Sequence, residues 1–250
     1  MKCQGGALSG KGWVVFAALL ATIAATAWAA TDLKMTSNDG ITIGATYVDT
    51  GQAKSKGLIL LHMMRRQRQD YTAFAEAARQ KGYCSLAIDL RGHGQSLTGA
   101  NGVKLNLDRF GSDDFAAMLN DVDAAYRYLV EQKNVDPERV GIVGASIGAN
   151  LAVNYAWRHQ KRIKAVALLS PGLNYRGVTT EDPVSEYPGP MLFYAAKTDG
   201  YAHESVRKLI ELAGARGTAK LYGGGGHGTA LFNLHKEMIG DIIAWFDGKL

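Results

Sequence analysis

The chain is poor in the residues that mark fibrous and disulfide-stapled proteins. Among its 250 residues are only two cysteines and five prolines, which excludes a disulfide scaffold and a collagen-like repeat. Hydrophobic residues make up 47% and charged residues 20%, a balance that excludes a mainly disordered chain. Since α/β folds run to about 250 residues as one unit, we expect one domain with a sizeable core.

The sequence also lacks the ligand patterns of metal and phosphate sites. No His and Cys residues have zinc-like spacing with further ligands to match, and no glycine loop carries the lysine of a phosphate site. The composition therefore predicts chemistry without a metal or cofactor.

One long apolar run lies at the N-terminus. Lys2 and Lys11 precede the apolar residues 13–29, which end in Ala27-Trp28-Ala29, and together they predict a secretory signal peptide over 1–29 with a mature domain over 30–250. The mature protein is then periplasmic or secreted. Because a spanning helix needs about 20 strongly apolar residues, a retained membrane anchor is the weaker alternative.

The positive charge belongs partly to this N-terminal segment. The whole chain has a net charge of +5, and residues 1–29 contain two lysines and no acid. Removal of that segment lowers the net charge to +3. We therefore expect a small-molecule substrate and no nucleic-acid partner.

Short apolar strands alternate with amphipathic helices along the rest of the chain. This alternation predicts an α/β fold, a mainly parallel doubly wound sheet covered on both faces. Residues 33–37 and 41–48 predict an antiparallel hairpin at its edge. Ser112 or Asp113 is the expected N-cap of one helix. The predicted strands are 58–61, 85–88, 140–143, 165–169, 191–196 and 221–222, and the predicted helices are 71–81, 114–132, 147–159, 203–214 and 230–246.

A nucleophile pattern follows one of these strands. Gly144-Ala145-Ser146-Ile147-Gly148 lies between the strand 140–143 and the helix 147–159, which is the strand–turn–helix setting of a serine nucleophile elbow. Such a turn lifts a hydroxyl above the sheet, and the glycines remove side chains that would clash. The pattern predicts Ser146 as the nucleophile.

A base and an acid follow two later strands in the order that this chemistry requires. Asp199 comes after the strand 191–196 and His227 after the last strand, in a glycine-rich loop. Taken alone, Asp199 is equally well a helix cap and His227 a solvated loop residue. Glu204 is a poorer acid because it lies inside a predicted helix. The order predicts a Ser146–Asp199–His227 triad.

Backbone amides are expected to bind the oxyanion. Ile147 begins a helix after the nucleophile, and Met63 follows the strand 58–61, so their N–H groups are the predicted donors. His62 is expected to support this loop and to border the substrate. We interpret His93 as structural. The run 65–68 is more consistent with a solvated face than with a site for an anionic substrate group.

The segment 170–190 is the only one available for a cap over the site. A large helical cap does not fit in this segment, and Tyr175 and Tyr187 within it are candidate pocket walls. An open site of this kind favours small or short-chain substrates.

These motifs together resemble the α/β-hydrolase superfamily over nearly all of the predicted mature chain. The small size and the Gly226-His227-Gly228-Thr229 stretch resemble its dienelactone-hydrolase-like branch, although dienelactone hydrolases carry Cys where this chain has Ser146. The resemblance implies a serine hydrolase acting on esters. The matching stretches are Leu60-Leu61-His62, Asp89-Leu90-Arg91-Gly92-His93-Gly94, Gly144-Ala145-Ser146-Ile147-Gly148, Lys197-Thr198-Asp199 and His227-Gly228.

Other functions remain open at this stage. A peptidase, amidase or thioesterase of the same fold would use the same residues. A binding protein that keeps the fold without catalysis is the alternative from another class, although it has no need of Ser, Asp and His at three strand ends. The sequence does not indicate an oligomeric state.

Overall fold

The computed structural model describes residues 1–2, 30–131 and 135–250. All but the first two residues of the predicted signal peptide lie outside the described residues. The strands of the described part are β1 (Ala30–Thr36), β2 (Thr42–Val48), β3 (Ser55–Leu61), β4 (Tyr83–Ile88), β5 (Val135–Ala145), β6 (Ala165–Leu169), β7 (Asn174–Tyr175), β8 (Val178–Thr179), β9 (Met191–Ala196) and β10 (Gly217–Tyr222).

Within the described residues, eight strands form one sheet in the order β1-β2-β4-β3-β5-β6-β9-β10, and β7 and β8 form a separate antiparallel pair. The pairs β1–β2 and β2–β4 are antiparallel, whereas β4, β3, β5, β6, β9 and β10 pair in parallel. This confirms the predicted mainly parallel sheet with an antiparallel N-terminal hairpin at one edge.

Helices cover both faces of the sheet, as the apolar strands predict. One core contains side chains of the helices over 119–131, 147–158 and 200–213, and the other contains those of the helices over 72–80 and 238–247. The helices of the described residues are α1 (Thr72–Gln80), α2 (Ser112–Ala117), α3 (Leu119–Glu131), α4 (Ile147–Arg158), α5 (Glu181–Glu186), α6 (Gly200–Ala213), α7 (Leu231–Leu234) and α8 (Met238–Asp247).

Two predicted helices are each divided in two. The predicted helix over 114–132 is α2 and α3, because the Met118 N–H bonds to Phe115 three residues back at 3.2 Å and tightens the chain there. The predicted helix over 230–246 is α7 and α8. His235 separates them: its ring stacks on Tyr222 at 3.6 Å and its Nε2 lies 2.7 Å from the Gly224 carbonyl. These tertiary contacts override the helical period.

The predicted cap of α2 is wrong. Gly111 is the N-cap residue, and its N–H donates to the Asp114 carboxylate at 2.9 Å. Ser112 and Asp113 lie in the first turn instead. An acidic side chain that reaches back to the N-cap amide makes a hydroxyl cap unnecessary.

The segment between β6 and β9 forms only a small cap, as its length predicts. It contains the β7–β8 hairpin and α5. Asn150 of α4 is fully buried and binds this cap through its side-chain amide. Its Nδ2 donates to the carbonyls of Gly172 and Val178 at 2.9 and 2.7 Å, and its Oδ1 accepts from the Gly172 N–H at 3.1 Å. The cap is therefore fixed to the helix that begins beside Ser146.

Within residues 30–131 and 135–250, no helix has both the length and the apolar character to cross a membrane.

Candidate active site

Ser146 lies in the tight turn between β5 and α4. Its backbone has φ of +54° and ψ of −120°, a conformation that is costly for a residue with a Cβ. Its N–H donates to the carbonyl of Leu169 at the end of the neighbouring strand β6, at 2.8 Å. The turn therefore holds Ser146 at the carboxyl end of the sheet, where ligands bind in open α/β folds.

The glycines on either side of the turn leave no space for a side chain. A Cβ on Gly144 would overlap the carbonyl of Gly148, and a Cβ on Gly148 would lie 2.5 Å from the Leu61 carbonyl oxygen at the end of β3. Both neighbours are backbone atoms, which cannot move aside as a flexible side chain can. Glycine is therefore required at both positions because a side chain would clash with the backbone, as the sequence predicts.

The two predicted oxyanion residues border this turn. Ile147 is the first residue of α4, so its N–H is among the helix amides that have no acceptor within the helix, and the helix dipole favours negative charge there. Met63 follows β3, whose end contacts Gly148. Its side chain meets the loop that carries His227, since a Cβ on Gly228 would lie 2.7 Å from Met63 Sδ.

Asp199 and His227 follow the neighbouring strands β9 and β10 and are hydrogen-bonded. Asp199 Oδ2 lies 2.6 Å from His227 Nδ1, which leaves Nε2 as the ring nitrogen for another partner. Burial alone would raise the pKa of Asp199, but the hydrogen bond and charge of His227 outweigh it and hold that pKa below its usual value. The His227 side chain is 38% exposed, so a substrate can reach it.

The alternative interpretations of this pair can be compared with the contacts. Asp199 is indeed the N-cap residue of α6, but its carboxylate is engaged by His227. Glu204 lies on the exposed side of α6, where it pairs with His203 at 3.2 Å and with Arg207 at 3.9 Å. The aspartate at the strand end is therefore the carboxylate that meets His227.

Two residues that the sequence did not single out hold the loop after His227. The Gly228 N–H donates to Ser170 Oγ at 2.9 Å, and the Thr229 hydroxyl donates to Asp70 Oδ2 at 2.7 Å. Asp70 also accepts two hydrogen bonds from Arg66, at 2.7 and 2.9 Å. Ser170 directly follows β6, so the strand-end rule could have found it, whereas Asp70 and Thr229 are 159 positions apart and no local pattern connects them.

Tyr175 of the small cap faces the candidate nucleophile. Its ring lies edge-on to His227 with centroids 6.1 Å apart, and its hydroxyl donates to the Ser170 carbonyl at 3.4 Å. Burial and, to a smaller extent, the charge of Asp199 raise the pKa of Tyr175 and outweigh hydrogen bonding with Ser146, which acts to lower it, so the phenol stays protonated. Tyr201 packs against Tyr175 at 5.5 Å. The two tyrosines form one wall above the strand ends.

The structure contradicts two of the predicted substrate-binding residues. His62 is fully buried, with Nδ1 2.8 Å from the Met63 carbonyl and Nε2 accepting from the Leu90 N–H at 3.0 Å, so neither nitrogen is left for a substrate. Tyr187 is also fully buried, and its hydroxyl donates to the Ile163 carbonyl at 2.9 Å. Both side chains support the fold instead.

His62 is held neutral in its buried position. Burial, helped by the neighbouring His93, lowers the pKa of His62 to about 4. The two rings lie edge-to-face with centroids 4.8 Å apart, and His93 Nδ1 is 3.1 Å from the Arg91 carbonyl. The predicted supporting role of His62 and structural role of His93 agree with these contacts.

The run 65–68 is a solvated face only in part. Arg65 and Arg66 are exposed and pair with Asp108 and Asp70. Arg68 is buried, and it bonds to Asp89 through both its guanidinium and its N–H. The interpretation of the whole run as a solvated face was wrong at Arg68, because a buried carboxylate draws this side chain inward.

A second buried pair lies close to the first. The Arg91 guanidinium donates to Asp121 Oδ1 at 2.7 and 2.9 Å and to Asp39 at 2.6 and 2.9 Å. We refer to Arg68, Asp89, Arg91, Asp121 and His62 together as the loop network.

Two cavities open beside the loop that carries Met63. The larger, of about 590 Å³, lies between residues 65–70 and 92–108. The smaller, of about 400 Å³, is lined by Met63, Thr229, Phe232 and Lys236 among others. Arg66 and Asp70 line both. The smaller cavity thus contacts both the residue predicted to bind the oxyanion and the loop of His227.

Among the residues that the structure describes, no group of three or more His, Cys, Asp or Glu side chains is placed to hold a metal ion.

Residues 61–244 match the α/β-hydrolase fold family, and the chain belongs to that family. Among solved structures, an esterase of Pyrococcus furiosus superposes with a TM-score of 0.71 and 17% identity, covering 89% of this chain and 93% of the esterase. A dienelactone hydrolase of Anabaena variabilis superposes with a TM-score of 0.70 and 14% identity, covering 89% of this chain and 99% of the other. At these identities the likeness concerns the fold.

A curated protein is similar in sequence to part of this chain. A Bradyrhizobium protein named as a probable 2-oxo-3-(5-oxofuran-2-ylidene)propanoate lactonase is 30% identical over 124 residues. The match covers 47% of this chain and 49% of that protein, so it spans about half the length of the curated relative. The family match and the structural neighbours agree on the α/β-hydrolase fold.

Proposed function

We propose that the protein is a serine hydrolase that cleaves carboxylic esters, lactones included, through an acyl-enzyme on Ser146. The observation that carries this proposal is the 2.6 Å hydrogen bond between Asp199 and His227, on a loop that packs against the strained turn of Ser146. A Cβ on Gly228 would lie 3.3 Å from the Cβ of Ala145, so the histidine loop meets the residue before the serine.

Each step of the proposed hydrolysis is assigned to a residue of the site. Ser146 Oγ attacks the ester carbonyl while His227 Nε2 accepts its proton, and Asp199 stabilises the imidazolium that forms. The amides of Met63 and Ile147 bind the oxyanion. The imidazolium returns the proton to the leaving alcohol, and a water molecule, activated by His227 in turn, releases the acid from Ser146.

Small esters and lactones are the substrates that the cap favours. The hairpin and α5 leave the site without a large lid, and Tyr175 and Tyr201 limit its height. The names of the related proteins, esterase, dienelactone hydrolase and lactonase, support an ester bond, open or cyclic, as the target. In a lactone the leaving alcohol stays tethered to the acyl group, and the same residues perform both steps.

A variant series tests the reaction class. Ser146→Ala should lower the turnover of p-nitrophenyl acetate by about 10⁴-fold or more, and a fluorophosphonate probe should add its mass to the wild type but not to the variant. Ser96→Ala is the matched control, since Ser96 is a buried serine outside the site. Labelling that persists in Ser146→Ala would refute the nucleophile.

The alternative functions give different results in the same assays. A panel of short-chain and long-chain esters, lactones, thioesters and peptide amides should give the highest kcat/KM for short esters or lactones. A preference for amides or thioesters would indicate a peptidase or a thioesterase. A wild-type protein that neither turns over substrate nor accepts the probe would indicate a binding protein.

Residues 1–29 are proposed to be a cleaved export signal, with a retained membrane anchor as the alternative. The support is the basic start, the apolar run and the Ala27-Trp28-Ala29 end. Expression in a bacterial host followed by fractionation and N-terminal sequencing should give a soluble periplasmic or secreted chain that starts at Ala30. A chain that starts at Met1 would contradict this proposal.

A further inference from the structure

Two serines occupy equivalent positions at the ends of neighbouring strands. Ser146 follows β5 and Ser170 follows β6, with φ of +54° and +49°. The Ser146 N–H donates to Leu169 at 2.8 Å, and the Ser170 N–H donates to Tyr194 at 2.7 Å. Ser146 is expected to meet the substrate, whereas Ser170 is fully buried and has no part in the mechanism described so far.

The hydroxyl of Ser170 binds the backbone that follows His227. Its oxygen accepts the N–H of Gly228, the residue after His227, at 2.9 Å. The O–H proton remains available for a donor bond, and Asp199 is the carboxylate that it can serve. After burial, which raises the pKa of Asp199, and His227, which lowers it, hydrogen bonding from Ser170 is a further influence that helps to lower that pKa.

We propose that Ser170 is a positioning residue of the hydrolytic reaction, whose hydroxyl fixes the Asp199 carboxylate and the backbone that follows His227. The inference rests on the proposed function, because it assigns Ser170 a task in the same reaction. One hydroxyl can serve both partners, since it accepts and donates at the same time. It thereby sets the orientation of the acid and the base together.

The backbone at Ser170 supports a role for the side chain. Glycine adopts a φ of +49° without strain, and a residue with a Cβ does not. A serine in this conformation therefore carries a cost that glycine would remove, which supports a contribution from the hydroxyl beyond the turn itself. Strained residues of this kind cluster at functional sites.

Loss of the hydroxyl has a definite expected effect. The Asp199 carboxylate loses a donor and the histidine loop loses an anchor, so kcat should fall about 10-fold to 100-fold while KM changes little. A carboxylate with fewer donors stabilises the neighbouring imidazolium more strongly. The acid limb of the kcat/KM profile should then move to higher pH by about half a unit.

Two variants separate the hydroxyl from the backbone strain. Ser170→Gly removes both, and Ser170→Ala removes the hydroxyl and keeps the strain. The matched control is Ser96→Ala, because Ser96 is also fully buried and also accepts a backbone N–H, from Gly44 at 2.9 Å, away from the triad. Thermal unfolding, kcat, KM and the pH profile are measured for all three on p-nitrophenyl acetate.

The expected result is a lower kcat and a displaced acid limb in both Ser170 variants, with Ser170→Gly melting close to the wild type and Ser96→Ala keeping the wild-type profile. Wild-type kcat and profile in Ser170→Gly would overturn the proposal. So would a loss of stability with an unmoved acid limb, because that indicates a structural role. A Ser146→Ala arm distinguishes failure of the proposed function, since only that failure leaves Ser146→Ala active.

Discussion

The loop network and the candidate triad are two groups of polar side chains at the carboxyl end of the sheet, and they differ in how far they are buried. In the loop network the charged and ring groups bond to one another, to backbone or to the neighbouring carboxylates of Asp32 and Asp39, and its members are buried. In the candidate triad Asp199 and His227 bond to each other, and the His227 side chain remains 38% exposed. Buried groups with complete pairing stabilise a fold, and a reactive site needs an atom that is paired only when substrate binds.

The largest expected effect is on catalysis. Asp199→Asn should lower kcat about 10⁴-fold, which corresponds to about 5.4 kcal/mol, because an amide stabilises neither the required tautomer nor the imidazolium. The urea midpoint should stay close to that of the wild type. A variant that keeps more than a tenth of the activity would show that Asp199 is not the acid of the triad. It would also weaken the distinction between a stabilising group and a reactive one.

The converse variant in the loop network should affect stability. Asp89→Asn leaves the buried Arg68 guanidinium without its main carboxylate, and the free energy of unfolding should fall by about 3–5 kcal/mol, with activity per folded molecule retained. Urea denaturation measures the change. Asp108→Asn is the matched control: it breaks the exposed pair with Arg65 and should cost less than about 1 kcal/mol. Equal losses in both variants would contradict the role assigned to burial.

Low pH should destabilise the folded protein through protonation of His62, a member of the loop network. The unfolded chain protonates this ring near pH 6.5 and the folded chain near 4, so between those values proton uptake favours unfolding. The contribution of His62 is complete above pH 6.5 and is lost as the pH falls to 4, by about 3 kcal/mol in total. Unfolding free energies at several pH values for the wild type and His62→Gln measure it. Parallel curves for the two proteins would show that His62 does not titrate as described.

The smallest effect is expected at Thr229, which belongs to neither group and bonds to Asp70. Thr229→Val removes the hydroxyl that bonds to Asp70 and keeps the side-chain volume, and it should cost about 1 kcal/mol of unfolding free energy with a kcat reduced only a few-fold. Thermal unfolding and steady-state kinetics measure both. A fall in kcat as large as that of Asp199→Asn would place Thr229 inside the reacting group of residues and not beside it.

Most of the fold could be predicted from local patterns. Apolar runs identified the central strands, and the edge hairpin follows from two β-rich stretches around a turn. The predictions failed where a distant contact decides: the stacking of His235 on Tyr222 interrupts a helical period, and Asp89 draws Arg68 into the interior. Such contacts join residues far apart in the chain and leave no local signal.

The site shows the same division. The order of serine, acid and histidine at strand ends predicted the residues of the candidate triad, and the hydrogen bond between Asp199 and His227 agrees with it. The surroundings were less predictable. His62 and Tyr187 were predicted to line the site, but both side chains are buried in the core. The position of a residue in a loop does not indicate the direction in which its side chain points. Ser170 follows a strand end as Ser146 does, but only the contact of its hydroxyl with Gly228 shows what it holds.

The clamp of Asn150 on the small cap has a consequence for how such a protein can diversify. Gly172 precedes β7, and Val178 begins β8 directly after the exposed turn at Arg176 and Gly177. The Asn150 amide therefore holds the cap on both sides of this turn, and extra residues inserted between Arg176 and Gly177 would lengthen the cap between two fixed points. Insertions at this turn would therefore change the substrate range while the reacting residues keep their positions. A redesigned lid is best inserted at this turn.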